Sequence, residues 1–110
     1  MLLNGLYSIT FKAGSEGPIG SGVVVLHNGV LLGGDDALLY TGSYQHSEGR
    51  FQATVRTSRH TENRPSLFGL DKSTMSFAGK VVRDGATAFG ASTEAPSVTL
   101  EVSLKFRAPS

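Results

Sequence analysis

The chain has no cysteine and no tryptophan. Without cysteine there is no disulfide framework, no thiolate nucleophile and no Cys-ligated zinc. No run approaches the roughly 18 apolar residues of a membrane-spanning helix. The start, MLLNGLYSITFKAG, lacks the basic segment followed by an apolar one that marks an export signal. The expectation is a soluble, unexported, cytoplasmic protein with no membrane partner. An excess of one charge is missing too: ten Lys and Arg face nine Asp and Glu, for a net charge of +1. Whole-molecule electrostatics therefore favours neither nucleic acid nor anionic lipid, and a charge-driven partner needs a local patch. No apolar set recurs at helical spacing over about ten residues, which removes helix bundles and α/β folds.

What is present is glycine, 14 in 110 residues, scattered among Val, Leu, Tyr, Phe and Thr without a collagen-like period. Short strands with tight turns suit that distribution. At this length one core accounts for the chain, so residues 1–110 are read as a single domain.

Alternation with period two runs through most of the chain. Tyr7, Ile9 and Phe11 face one way, and Leu6, Ser8, Thr10 and Lys12 the other. After the run GSEGPIGSG come Val23, Val24, Val25 and Leu26, then Asn28-Gly29, the pair that a type I′ hairpin turn needs at positive φ. Beyond GGDD, Leu38, Tyr40, Gly42 and Tyr44 share a face, with Gly42 read as a bend or bulge. Phe51, Ala53 and Val55 oppose Gln52, Thr54, Arg56 and Ser58. TENRPSLFGLD, with Pro65 and Gly69, is the longest irregular connection. Its Leu67, Phe68 and Leu70 are expected to plug a barrel end or form a helical turn. A second hairpin is expected at Asp84-Gly85. Last, Val98, Leu100, Val102, Leu104 and Phe106 alternate with Thr99, Glu101, Ser103, Lys105 and Arg107, the strictest pattern in the chain. About eight short strands must manage their own edges, so the expected fold is all-β: a small closed eight-stranded antiparallel barrel, with a β-sandwich as the alternative.

Reactive constellations are sparse. GSEGPIGSG lacks the Gly-Lys-Ser/Thr ending of a phosphate loop and leads into a strand, not a helix. His27, His46 and His60 match no metal-binding spacing and read as solvated strand ends. Asp35 and Asp36 could bind a cation, but Asp35 after Gly33-Gly34 is better read as an acceptor of turn N–H groups. There is no G-x-S-x-G elbow. No catalytic residue, metal site or cofactor is expected, and the chain reads as a binding protein. Arg50, Arg56, Arg59 and Arg64 against Glu62 form the one charge bias, a cluster that could present cations to an acidic partner or be a plain solvated strand face. Direct nucleic-acid binding would want interleaved exposed aromatics, and Phe51 alternates away from Arg56.

NGLYSITF and HNGVLLGGDDALLYTGSYQ, with the ending VSLKFRAP, resemble the small bacterial negative regulators of type III secretion. The shared elements are Gly5, Tyr7, Asn28, Gly29, Gly33, Gly34, Asp35, Tyr40 and Gly42. The resemblance implies a lipocalin-like barrel, a homodimer, and repression by sequestering a transcriptional activator. Its partner contacts would fall in the loop after Y-x-G, here His46 and Glu48, and the basic strand face read from the charge bias adds Arg50, Arg56 and Arg59 as partner-contact candidates. The family's acidic cluster in that loop is replaced by QHSEGR, in which Glu48 is the sole acid. A barrel of this size either fills with side chains or holds one small apolar ligand. Tyr7, Tyr40, Tyr44, Phe51 and Phe106 are the residues expected to pack the interior or to line such a pocket.

Overall fold

A computed structural model of the chain describes residues 2–14, 19–62, 72–94 and 97–110. The alternating segments become eight strands: β1 (Gly5–Ala13), β2 (Ile19–His27), β3 (Val30–Gly34), β4 (Leu38–Ser47), β5 (Arg50–Arg59), β6 (Lys72–Val82), β7 (Gly85–Ser92) and β8 (Thr99–Pro109). Each pairs antiparallel with its neighbours in sequence, and β8 returns to β1, closing the barrel. Closure leaves no sheet edge to template aggregation. A β-bulge between Leu6 and Tyr7 interrupts the β1–β8 register.

The inward face carries the core. Tyr7, Ile9, Val24, Leu26, Leu31, Leu38, Tyr40, Phe51, Val55, Leu100, Val102 and Leu104 are all buried in one cluster. The alternation was therefore a sound guide to which residues point inward. Three tight turns, at residues 28–29, 48–49 and 83–84, gather with the start of β1 and the end of β8 at one end of the barrel, here the hairpin end. The β3–β4 turn and the connections β1–β2, β5–β6 and β7–β8 lie at the opposite, loop end. The expected plug of Leu67, Phe68 and Leu70, the Pro65 and Gly69 beside it, and Arg64 fall outside the described residues, as do residues 15–18 of the glycine-rich run.

Asn28 and Gly29 both take positive φ, 50° and 89°, as the type I′ reading requires. Two expectations need correction. The β6–β7 turn uses Arg83 and Asp84, one residue earlier than expected, and neither has positive φ. Gly85 sits inside β7, where a Cβ would run into the Leu104 carbonyl oxygen, so its glycine serves strand packing and not the turn. Gly42 is no bulge: pairing continues through it on both sides. Its missing side chain lets the Thr54 carbonyl approach, which a Cβ would obstruct. The sequence reading also missed a turn. Glu48 and Gly49, with φ of 53° and 78°, form a two-residue hairpin tip where a longer loop was expected.

A cavity with a polar rim

The two ends of the barrel interior are built differently. At the hairpin end the N-terminal segment folds over the opening and Leu2 is buried. The Tyr7 hydroxyl donates to the Leu3 carbonyl at 2.6 Å. Asn4 Nδ2 donates to Asn28 Oδ1 at 2.9 Å, while Asn28 N–H donates back to Asn4 Oδ1 at 3.0 Å. Tyr7 and Phe106 meet edge to face with centroids 5.4 Å apart, and Tyr44 stacks on Phe51 at 6.3 Å. Such pairs add to the burial of the rings themselves. These contacts close this end over buried Tyr7 and Leu26.

From the level of Phe51, near the hairpin end, to the loop end runs a cavity. Its deep part is walled by apolar side chains such as Val24, Leu31, Phe51, Val55, Met75 and Leu104. The space open to centres of water-sized spheres is about 80 Å³. One water needs about 10–15 Å³ by this measure, so there is room for about five to eight, or for a ligand of similar bulk.

Four polar side chains line the cavity, and all lie toward the loop end: Asp35, Tyr40, Thr57 and Ser73. Their placement follows from register. Tyr40 on β4 is paired with Thr57 on β5, which is paired with Ser73 on β6. Residues directly opposite on one face have Cβ atoms about 4.5–5.5 Å apart, so the three form a continuous inward row. Thr57 Oγ1 and Ser73 Oγ hydrogen bond at 2.6 Å. The Tyr40 hydroxyl donates to Asp35 Oδ2. Asp35 Oδ1 accepts from Ala37 N–H at 2.8 Å and Leu38 N–H at 2.7 Å, the turn role assigned from sequence. Burial, then the bond to Asp35 and the charges of Asp35 and Asp36, push the Tyr40 hydroxyl well above the ordinary phenol range. It is therefore a donor throughout the neutral range. His60 fixes the same turn from outside: its N–H donates to the Ala37 carbonyl at 2.9 Å, and its Nε2 lies 2.8 Å from the Asp35 carbonyl oxygen.

Of the five interior aromatics, Tyr40 and Phe51 line the cavity, whereas Tyr7, Tyr44 and Phe106 belong to the packed end. Filling and lining thus both occur, at different heights. Thr57 and Ser73 were missed by the sequence reading. Their inward phase was legible beside Val55 and Met75, but the inward set had been followed through apolar residues alone.

The five partner-contact residues do not form one surface. Glu48 and Arg50 sit at the β4–β5 hairpin tip, and His46 stacks on Tyr44 just below it. Arg56 lies outward on the middle of β5, beside Thr41 and Thr74. Arg59 has the inward phase of Thr57 and is half-buried at the loop end, where its guanidinium donates to the Thr61 carbonyl at 3.1 Å. Arg56 and Arg59 therefore face different sides of the sheet. The wider charge pattern is more telling. Strands β1–β4 carry Lys12 as their sole Asp, Glu, Lys or Arg, while β5–β8 carry Arg50, Arg56, Arg59, Lys72, Lys80, Lys105 and Arg107 against Glu101. The outside of β2–β4 instead exposes Val23, Val30, Leu32 and Leu39.

Among the described residues no group of His, Asp and Glu is arranged to hold a metal ion, and no helix is long and apolar enough to cross a membrane. No protein-family model matches the chain, and no curated protein matches it significantly.

Proposed function

We propose that the barrel is a non-enzymatic binding protein that takes one small, mainly apolar molecule into its interior. The observation that supports this reading is the cavity itself, with apolar walls and a few convergent polar groups at one end. Apolar walls of this kind favour apolar guests. Met75 lines the cavity, so its methyl group reports on the interior. Xenon titration followed by methyl NMR is expected to give a saturable shift at Met75. An unresponsive Met75 would end the proposal.

A second reading follows from the resemblance to secretion regulators, in which the barrel sequesters an activator protein and acts as a cytoplasmic homodimer. The basic outer surface of β5–β8 favours a partner with an acidic face, and the exposed Val23, Val30, Leu32 and Leu39 offer a face for a second copy. Capture from the native host should then recover a transcription factor that is released by salt and by Arg50→Glu with Lys80→Glu. Sedimentation should show a dimer that Leu32→Lys dissociates. Retention that is indifferent to salt, and a monomer at all concentrations, would remove this reading.

A further inference from the structure

The polar rim restricts what the cavity can accept, and the restriction can be read from the unused hydrogen-bonding capacity of its four side chains. A carboxylate offers about four lone-pair positions. Asp35 spends two on the N–H groups of Ala37 and Leu38 and one on the Tyr40 hydroxyl, which leaves one position on Oδ2. Thr57 and Ser73 share one hydroxyl hydrogen in their mutual bond, which leaves the other hydroxyl free to turn toward a guest. One vacant acceptor, on the turn residue bonded to Tyr40, and one rotatable donor, on the row that Tyr40 begins, thus stand at one end of an otherwise apolar space.

We propose that the cavity selects an apolar molecule with an uncharged hydroxyl at one end, its hydroxyl donating to Asp35 and accepting from the Thr57–Ser73 pair, and that it rejects the corresponding carboxylate. This rests on the ligand-binding reading above and specifies its chemistry. A fatty-acid carboxylate would be desolvated against the Asp35 charge, and like charges in a dry site disfavour each other strongly. No Lys, Arg or His is among the described residues that line the cavity. Among the described strand residues the cation with the inward phase is Arg59, and its guanidinium donates to the Thr61 carbonyl. An alcohol brings both a donor and an acceptor and no charge, and so matches what the rim leaves open.

Depth sets the length. Phe51 and Thr57 both line the cavity and are six residues apart on β5. That separation is about 20 Å along the strand and about 15 Å along the axis of a barrel with the usual strand tilt. A medium-length alkyl chain fits this depth.

The test is calorimetric titration of the full chain with 1-octanol and with octanoate at neutral pH. Saturable binding of 1-octanol, with octanoate at least tenfold weaker, supports the proposal. Asp35→Asn keeps an acceptor for the turn and deletes the charge, so the preference is expected to shrink to within about threefold, mainly through tighter octanoate binding. The wild-type ratio is decisive by itself if that variant does not fold. Octanoate binding as tightly as 1-octanol to the wild type would overturn the hydroxyl assignment while leaving the xenon result, and with it the cavity reading, intact. If neither compound binds and xenon leaves Met75 unmoved, the cavity reading falls as well.

Discussion

The two ends of this barrel are made from the same strands with the same alternation, yet one is packed and the other is hollow. Toward the hairpin end, Tyr7 meets Phe106 and Tyr44 meets Phe51, each pair on neighbouring strands, and Asn4 ties the N-terminal segment to the Asn28 turn. Along the cavity wall the inward side chains include Ala53, Thr57, Ser73 and Ala88, all much smaller than those rings. The difference teaches that the inward phase of a strand decides which residues enter the interior, whereas side-chain volume at each height decides whether the interior is filled.

Substitutions can break that contrast. The largest effect is expected for Tyr7→Ala. This ring is 1% exposed and anchors the closed end, so its loss should cost about 3–5 kcal/mol in urea unfolding. A cost below 1 kcal/mol would mean that the closed end is loosely packed. Phe106→Ala removes the ring that meets Tyr7 edge to face. Because Phe106 is only partly buried, about 2 kcal/mol is expected, and a loss equal to that of Tyr7→Ala would show that the two rings act as one unit.

The polar rim has its own signature in alkali. Burial raises the hydroxyl pKa of Tyr40, so the folded state holds that proton more firmly than the unfolded chain does. The contribution is therefore fully present below about pH 10, where the unfolded tyrosine titrates, and is lost as pH rises above it. After allowance for solvent screening, the slope should be about 1 kcal/mol per pH unit. Tyr40→Phe should remove this slope from chemical unfolding measured between pH 10 and 12, while an unchanged slope would assign it to other groups such as Tyr7, whose hydroxyl burial also raises.

Filling the cavity tests the same contrast from the other side. Ala53→Leu projects into the cavity and should change stability by about 1 kcal/mol or less, because new contacts offset crowding, while abolishing the xenon response at Met75. A cost above 3 kcal/mol would show that the space is not available. The smallest effect concerns Glu48. A non-glycine residue at φ 53° is strained, and asparagine tolerates that region better, so Glu48→Asn should raise stability by about 0.5 kcal/mol. A large loss would point to interactions of Glu48 beyond its turn.

Much of the fold was legible because burial and period coincide. Tyr7, Ile9 and Phe11, or Leu100, Val102 and Leu104, announce a strand with one dry face, and Asn28-Gly29 announces a type I′ turn through the one backbone conformation these residues tolerate best. Gly85 misled for a related reason. A glycine beside Asp84 looks like a turn residue, but here it makes room for the Leu104 carbonyl of the neighbouring strand, a demand invisible until β7 and β8 are paired. Asp35 was read correctly as a turn acceptor. Its second role, receiving the Tyr40 hydroxyl at a cavity rim, required the β3–β4 turn to be folded first. Thr57 and Ser73 are separated by 16 positions, and nothing in their local sequence links them before β5 and β6 align.

The chain by itself determined that it would be all-β, because period-two alternation with abundant glycine admits no helix of useful length and buries one face of every strand. Tertiary structure alone decided where the interior is solid and where it is open. That outcome depends on which inward side chains arrive at the same height, and height is set by strand register and tilt across the closed sheet, quantities that no single segment encodes.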